Sequence, residues 1–192
     1  MEKHEKIHAL DINENKIDSL DEDLNKYFNI CIEKIGFIPN VLRSYSWNQK
    51  KLRTFAKFYN EIMLGESKLS ILEREMIALV VSSSNNCYYC QVAHGAAVRT
   101  NSKDSILSEI LSMNYKSGNF SQRHYSMLEF SYKLSITPDL IKEDDRELLR
   151  NNGFSDEEIW DICEVVGFFN MTNRIASGIE MVPNEEYHYQ GR

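Results

Sequence analysis

Residues that end helices are scarce in this chain of 192 residues, which has only three prolines and eight glycines. No Asn-Gly or Asp-Gly pair lies between alternating apolar residues, the pattern that predicts a β-hairpin. Apolar residues recur instead at spacings of three and four, which is the period of a helix with one buried face. The sequence therefore predicts an all-α protein without a β-sheet.

Long apolar runs are also missing. No run approaches the roughly 20 residues that span a bilayer, and the segment from Met1 to His8 lacks the apolar centre of a secretory signal. Four cysteines are too few for a small disulfide-stabilised scaffold. We therefore expect a cytoplasmic protein with a single domain over residues 1–192. Residues 1–18 are expected to form a partly ordered N-terminal extension of that domain.

Positive charge is in the minority, since 22 Lys and Arg face 29 Asp and Glu and give a net charge of -7. The basic residues form no stripe, which argues against nucleic acid or an anionic membrane as a partner. Three acidic clusters lie at 21–23, 143–145 and 156–158. Each is predicted to occupy the first turn of a helix, where negative charge is favourable, rather than to bind a metal.

Helix starts are marked by three Ser-x-x-Glu patterns, which begin at Ser19, Ser70 and Ser155. The segment from Ser82 to Asn86 is rich in residues that favour turns and predicts a break before a further helix. Trp160 is expected to pack in the core. The predicted helices lie at about 19–35, 39–45, 52–62, 71–81, from 87 onward, 106–113, 125–134, 140–150 and 158–173.

The reactive side chains are concentrated in one segment, where Cys87, Cys90 and His94 follow Glu75. Spacings of three, four and seven residues would bring both thiols and the imidazole onto one face of a helix. A thiol in the first turn of a helix meets unpaired backbone N–H groups and the positive end of the helix dipole, which favour the thiolate. This segment therefore predicts a redox dithiol with its own proton acceptor.

The pattern Glu-x11-Cys-x2-Cys-x3-His resembles that of the alkylhydroperoxidase D-like (AhpD-like) proteins of the carboxymuconolactone decarboxylase-like superfamily. Flanking segments over residues 20–190 resemble its peroxidase-related branch. The segments that carry this resemblance are Gly36-Phe37-Ile38-Pro39-Asn40-Val41, Leu69 to Ala78, Gly153-Phe154-Ser155-Asp156, Phe168 to Arg174, and the tail from Pro183 to His188.

The resemblance implies an AhpD-like bundle of packed helices that assembles as a homo-oligomer, such as a dimer, trimer or hexamer. It also implies a thiol-dependent peroxidase, an antioxidant enzyme that needs neither haem nor metal. Cys90 would attack the hydroperoxide and become a sulfenic acid, and Cys87 would resolve it as a disulfide. An external dithiol or lipoyl-type reductant would reopen that disulfide. Glu75 and His94 would relay the proton.

The sequence departs from the family pattern at Tyr89, where related proteins often carry a histidine immediately before the second cysteine. A tyrosine could donate a hydrogen bond to a peroxide oxygen. It cannot serve as a base near neutral pH, because its ordinary pKa is about 10. The substitution leaves the dithiol intact and leaves the identity of the reductant open.

Other interpretations of the same residues stay open at the level of sequence. Cys87, Cys90 and His94 could bind a structural zinc ion, with Glu75 or a distant cysteine as the fourth ligand. The dithiol could instead be inert and buried, or could belong to a disulfide relay or an oligomeric binding protein without significant peroxidase activity. The remaining cysteines, Cys31 and Cys163, lie on apolar helical faces and are predicted to be packed free thiols.

An internal match aligns the dithiol segment with a later one. A shift of 83 residues places Glu158 opposite Glu75, Asn170 opposite Cys87 and Asn173 opposite Cys90 (158 − 75 = 83). The match is either a degenerate duplication or chance. If it is a duplication, the segment from Asn170 to Arg174 would pack against the dithiol site or complete it.

Overall fold

The computed structural model describes residues 6–12 and 20–192. Within these residues the chain forms nine α-helices and three short 3₁₀ turns and has no β-strand, which confirms the prediction of an all-α fold. The helices are α1 (Glu22–Ile35), α2 (Asn40–Tyr45), α3 (Gln49–Leu64), α4 (Ile71–Ser84), α5 (Tyr88–Ser102), α6 (Ser105–Asn114), α7 (Gln122–Ile136), α8 (Glu143–Asn151) and α9 (Asp156–Gly178).

The predicted starts of α4 and α9 are confirmed in detail. Ser70 and Ser155 each accept a hydrogen bond from the backbone N–H three residues later, and the glutamate at that position bonds back to the serine N–H. Helix α1 begins instead after Asp21, whose carboxylate accepts the Leu24 N–H. Ser19 and most of the predicted N-terminal extension lie outside the described residues. All three acidic clusters occupy first turns, as the sequence predicts.

Helix α4 forms the centre of the fold. It contacts α3, α5, α6, α7 and α9, and every residue from Glu73 to Ser82 is buried. An apolar surface on all sides of a helix is what such a central position requires, because each side faces another element rather than water. Because α4 is central, its three consecutive charged side chains, Glu73 to Glu75, are buried in the interior.

The predicted break at Ser82 is wrong, because α4 continues to Ser84. The Ser82 hydroxyl donates to the Ala78 carbonyl at 2.7 Å, so it bonds within the helix rather than competing with it. The chain turns only at Asn85 and Asn86, and Asn86 adopts a left-handed backbone with φ 52°. Asparagine tolerates that conformation better than most residues. Two residues therefore separate Ser84 from Cys87, the N-cap of α5.

Helix α9 differs from the segment that it matches in sequence. It runs unbroken for 23 residues, whereas the matching residues of the dithiol segment form α4, a turn and α5. The segment opposite Ser82–Asn86 reads Val165 to Phe169 and contains no turn-forming cluster, so the helix continues. The internal match thus does not correspond to a repeated structural unit.

Trp160, on the outer face of this helix, is 68% exposed, so the prediction that it packs in the core is wrong.

The described part of the N-terminal extension packs against the end of α9. The Ala9 N–H donates to the Ile179 carbonyl at 2.8 Å, and the Val182 N–H donates to the Ile7 carbonyl at 2.9 Å. Ile7 and His8 are both buried. Residues 6–12 therefore brace the segment that follows α9.

The C-terminal tail is fixed by hydrogen bonds to the backbone at the start of α2 and to a side chain of α5. The Asn40 N–H donates to Asn184 Oδ1 at 2.7 Å, and the Asn184 amide donates to the Ile38 carbonyl at 3.0 Å. Arg99, which is buried, donates to the carbonyls of Tyr187 and Gln190 at 2.7 and 2.8 Å. Among the described helices, none is long and apolar enough to cross a membrane.

Candidate active site

Glu75 and His94 meet in the interior between α4 and α5. His94 Nδ1 lies 2.7 Å from Glu75 Oε2, and both side chains are buried. The edge-to-face contact of the imidazole with the Phe169 ring, at a centroid distance of 4.4 Å, holds it from the other side. A carboxylate bonded to one ring nitrogen fixes the orientation and tautomer of a histidine. The structure thus brings together the two residues that the sequence offers as a proton relay.

Cys87 and Cys90 lie where α5 begins, with Cys87 as the N-cap and Cys90 in the first turn. Their side chains are almost inaccessible, at 1% and 4% exposed. The Cys90 thiol donates a hydrogen bond to the Cys87 sulfur, which lowers the pKa of Cys87 to about 6 despite burial. Hydrogen bonds from the Cys90 N–H and the Ser177 hydroxyl lower it further, as does the charge of His94.

The pKa of Cys90 is raised, because its thiol proton is the one donated to Cys87 and because burial and the Cys87 charge oppose a second thiolate. Hydrogen bonds from Asn173 and Ser82 act in the opposite direction but do not reverse the shift. The two thiols share one proton, so they titrate as a pair. The pair is thereby prepared to carry a single negative charge, centred on Cys87.

Asn173 and Asn170 connect α9 to the turn before the dithiol. The Asn85 amide donates to Asn170 Oδ1 at 3.1 Å and to Asn173 Oδ1 at 2.9 Å, and Asn173 Nδ2 donates to Ser82 Oγ at 3.1 Å. The segment from Asn170 to Asn173 therefore packs against the dithiol site. Arg174 points elsewhere: it is exposed, and its guanidinium donates to the backbone and side-chain oxygens of Asn170.

The Tyr89 hydroxyl is engaged by α2 and the tail rather than by the dithiol. The phenol is buried, and its oxygen accepts the Val41 N–H at 3.0 Å and shares a hydrogen bond with Tyr187. Burial raises its pKa well above the ordinary value. Tyr89 thus holds α2 and the tail against α5, a structural function that its place between the cysteines did not indicate.

A cleft of about 310 Å³ opens beside Cys87. Its wall combines the turn before α5 with the end of α9 and the segment after it, and Cys87, but not Cys90, is among the described residues that line it. Sequence reasoning missed this wall, because only its first part is near the cysteines along the chain. The lining residues are Asn86, Cys87, Tyr88, Tyr89, Ala176, Ser177, Glu180, Met181, Val182 and Pro183.

The alternative of a structural zinc site has no support in the geometry. Across residues 6–12 and 20–192, no group of three or more His, Cys, Asp and Glu side chains is arranged to hold a metal ion. His94 uses one nitrogen on Glu75. Cys31 and Cys163 are free and half-buried, and burial raises the pKa of both, which agrees with their prediction as packed thiols.

Residues 50–105, which include the dithiol and its relay pair, match the Carboxymuconolactone decarboxylase family. A peroxidase-related protein from Silicibacter sp. TM1040 is 53% identical over 100% of both chains, with a TM-score of 0.95. A second such protein, from Ralstonia eutropha JMP134 and described as an alkylhydroperoxidase AhpD core, is 33% identical over 98% of both chains, with a TM-score of 0.93. Neither relative has a characterised function.

A more distant structure, the debrominase Bmp8, shares the fold alone, with 14% identity and a TM-score of 0.76 over 98% of this chain and 96% of that one. No curated protein matches the sequence. The identity with the Silicibacter and Ralstonia proteins extends over essentially the whole chain and agrees with the family match around the dithiol. The protein belongs to the AhpD-like branch of the carboxymuconolactone decarboxylase superfamily.

Proposed function

We propose that the protein is a thiol-dependent peroxidase that reduces hydroperoxides with the Cys87–Cys90 dithiol. The observation that carries the proposal is a thiol of lowered pKa, Cys87, at the wall of a cleft and within the electrostatic reach of a buried Glu75–His94 pair. A thiolate, not a thiol, is the nucleophile toward peroxides. The kinship with two peroxidase-related proteins agrees with this chemistry.

The geometry favours Cys87 as the attacking sulfur, whereas the family resemblance assigns attack to Cys90. Cys87 accepts the hydrogen bonds that stabilise the thiolate, and it lines the cleft, while Cys90 donates its proton and is not among the lining residues. We therefore assign the first step to Cys87 and the resolving step to Cys90. This order reverses the one expected from the sequence.

In the first step, the Cys87 thiolate, whose proton has already passed to His94, attacks the terminal oxygen of the hydroperoxide. The S–O bond forms as the O–O bond breaks, and the alkoxide leaves as an alcohol with the proton returned by His94. The Cys90 sulfur then attacks the sulfenic sulfur, so that an S–S bond replaces the S–O bond and hydroxide leaves as water with the Cys90 proton. A dithiol reductant supplies two electrons and two protons and restores both thiols.

The role of Glu75 follows from its contact with His94. A carboxylate on Nδ1 stabilises the imidazolium that forms when His94 holds the transferred proton, and it leaves Nε2 to exchange that proton with the reacting atoms. The reductant must reach a sulfur at the bottom of the cleft. A small dithiol or a lipoyl group on an extended arm fits that requirement, and the proposal names this class as the partner. We further propose that the protein acts as a homo-oligomer.

The test is a count of free thiols by intact mass, before and after one equivalent of cumene hydroperoxide. Wild type should lose two thiols, and Cys90→Ser should accumulate a sulfenic acid on Cys87 that dimedone traps. Cys87→Ser should stay unreactive, and Cys31→Ser should behave as wild type because its thiol is remote from the mechanism. The loss of thiols should follow the concentration of hydroperoxide.

Two outcomes would contradict parts of the proposal. A sulfenic acid trapped on Cys90 in Cys87→Ser would restore the order of roles expected from the sequence. Thiols that stay unchanged in wild type would reject the peroxidase and favour a dithiol relay that exchanges disulfides with a partner.

A further inference from the structure

Helix α9 ends in an arrangement that ordinarily requires glycine. The Glu180 N–H donates to the Ser177 carbonyl at 3.1 Å, and the Met181 N–H donates to the Ala176 carbonyl at 2.9 Å. These two bonds, with Ile179 as the C-cap, define a Schellman motif in which Glu180 occupies the left-handed position. Its φ is 52°, in the region that favours glycine because a Cβ there approaches the backbone.

A glutamate at this position is unfavourable for two independent reasons. The backbone conformation costs more for a residue with a Cβ than for glycine. The carboxylate also lies at the carbonyl end of α9, where the helix dipole disfavours negative charge. Positions that depart from such local rules are concentrated at functional sites. We therefore expect Glu180 to have a function that outweighs the loss of stability.

The cleft supplies that function. Apart from the Cys87 thiolate, Glu180 is the only charged side chain among the described residues that line it, and no lysine or arginine there offsets it. The rest of the wall next to Cys87 is mostly apolar or neutral, with Ala176, Met181 and Pro183 on the side of α9. A cleft with charge of one sign and walls of low polarity focuses its field on an entering molecule. An anionic molecule would meet this carboxylate and then the thiolate itself.

We propose that Glu180 is a specificity-determining residue that excludes anionic reactants from Cys87 and restricts the cleft to uncharged hydroperoxides and uncharged dithiols. The inference rests on the proposed function and names its substrate class. A hydroperoxide that carries its own carboxylate would be a poor substrate, and a neutral lipoamide-type dithiol would be a better reductant than its free acid. The acidic rim selects by charge, and the apolar wall accepts the organic group.

The direct test measures access to Cys87 without requiring turnover. Reduced protein is alkylated with neutral iodoacetamide or anionic iodoacetate, and the rate at each cysteine is followed by peptide mass spectrometry. The quantity compared is the iodoacetamide rate at Cys87 divided by the iodoacetate rate. In Glu180→Gln, this ratio should fall by about threefold to tenfold at an ionic strength of about 0.01 M, where the Debye length is about 30 Å. In wild type, about 0.5 M NaCl should produce much of the same fall, because the Debye length is then roughly 4 Å.

The controls are within the chain. Cys31 and Cys163 are half-buried thiols that do not line the cleft, so their ratios should not respond to Glu180→Gln. Glu164→Gln removes an exposed carboxylate elsewhere on α9 and should leave the ratio at Cys87 unchanged. Glu180→Gly should lower the same ratio and also raise the melting temperature by about 2–4 °C, because glycine suits the left-handed position.

A matching ratio at Cys87 in wild type and Glu180→Gln would overturn the inference, as would an equal fall in Glu164→Gln. A second experiment compares kcat/KM for the uncharged cumene hydroperoxide with kcat/KM for a fatty-acid hydroperoxide, which carries a carboxylate. Glu180→Gln should reduce the preference for the uncharged substrate. If no hydroperoxide reacts, the proposed function is wrong, but the alkylation ratio still tests whether Glu180 excludes anionic reactants from Cys87. The two failures are therefore distinguishable.

Discussion

At the scale of single residues, the position of Cys87 explains why it carries the charge. As the N-cap of α5 it lies beside backbone N–H groups that no carbonyl of the helix can accept, and its sulfur accepts the one from Cys90. Cys90 sits one turn later and donates both its N–H and its thiol to Cys87. Two thiols of identical chemistry thus acquire opposite roles from a difference of three positions along one helix.

The first prediction concerns the pH dependence of thiol reactivity. The rate of Cys87 alkylation by iodoacetamide should be half-maximal near its lowered pKa of about 6, because the thiolate is the reactive form and is populated above that pKa. Cys31 and Cys163, whose pKa burial raises, should become reactive only at alkaline pH. Cys90→Ala should move the Cys87 midpoint upward, since it removes the donated hydrogen bond. A midpoint near that of an ordinary thiol in wild type would contradict the assignment.

The second prediction separates Glu75 from a purely structural role. Glu75→Gln keeps the shape of the side chain but cannot stabilise a charged imidazole, so the second-order rate of Cys87 oxidation by hydroperoxide should fall by about 100-fold. Stopped-flow measurement of this rate in wild type and in the variant checks the prediction. The exposed Glu164→Gln serves as the matched control. An unchanged rate profile would leave the Glu75–His94 contact as a packing feature.

The third prediction concerns Tyr89. Tyr89→Phe removes the acceptor of the Val41 N–H, one of the first-turn donors of α2 that have no partner within the helix. The free energy of unfolding should fall by about 1–2 kcal/mol in urea titrations. The adjacent Tyr88, which is 62% exposed, provides the control, since Tyr88→Phe should change stability by less than about 0.5 kcal/mol. A selective loss of peroxide reactivity in Tyr89→Phe, with stability unchanged, would instead place the phenol in the chemistry.

The sequence indicates the candidate residues that lie close together along the chain. Cys87, Cys90 and His94 follow from helical spacing alone, and the family resemblance adds Glu75. Ser177 and Glu180 could not be predicted, because nothing local in α9 indicates that its last turn forms the far wall of a cleft beside α5. A pattern within one helix is visible in a sequence, whereas contact between distant segments depends on the packing of the whole bundle.

At the scale of elements, Arg123 ties together the N-termini of α4 and α9. Its guanidinium donates to Glu73 at 3.1 Å and to Glu158 at 2.6 Å, and it stacks on the Phe154 ring at 3.6 Å. Both glutamates also complete the capping boxes of their helices, and the one cation forms an ion pair with each of these buried carboxylates. Burial alone would raise the pKa of Glu158, but the Ser155 N–H and Arg123 lower it.

The fourth prediction follows from that arrangement. Arg123→Met keeps much of the aliphatic volume but leaves the carboxylates without their cation, so the free energy of unfolding should fall by about 3 kcal/mol at neutral pH. The loss should shrink as the pH falls below about 4, because a depressed carboxyl pKa stabilises the fold only above the unfolded value and ceases to do so as the group protonates. Arg146→Met, at the more exposed pair with Glu143, should cost less than about 1 kcal/mol. Equal losses in the two variants would refute the role of Arg123.

Helix starts and helix ends differ in how well the sequence predicts them. The capping boxes at Ser70 and Ser155 are local signals, because every atom that they use lies within four residues. The end of α4 is not local: Ser82 and Ser83 favour turns, yet tertiary contacts with α9 keep them helical, as the bond between Asn173 and Ser82 illustrates. The predicted break therefore fell three residues too early.

At the scale of the whole molecule, both described ends of the chain converge on the wall of the cleft. Residues 6–12 bind the segment after α9 through the two backbone bonds of Ile7 and Ala9, and Asn40 donates to the Val182 carbonyl from the other side at 2.8 Å. Residues distant along the chain thus converge on Val182, which lines the cleft. The wall of the cleft at Val182 therefore depends on long-range bonds.

The fifth prediction tests this dependence. Removal of residues 1–12 takes away the Ile7 carbonyl that accepts the Val182 N–H and also the buried Ile7 side chain, so the wall after α9 should open more often. Hydrogen exchange at the Val182 amide should accelerate by about tenfold or more, and Cys87 should be alkylated faster by iodoacetamide. Exchange in the buried centre of α4 should stay slow, because its contacts with the other helices remain in place.

Removal of residues 1–5 alone is the matched control, since it preserves both backbone bonds. The two truncations distinguish a specific brace from a general effect of shortening the chain. If exchange at Val182 were the same in both truncations and in wild type, the segment from Ile7 to Ala9 would cover the wall without supporting it. The contacts of Asn40 with Val182 and Asn184 would then be the ones that hold the cleft in shape.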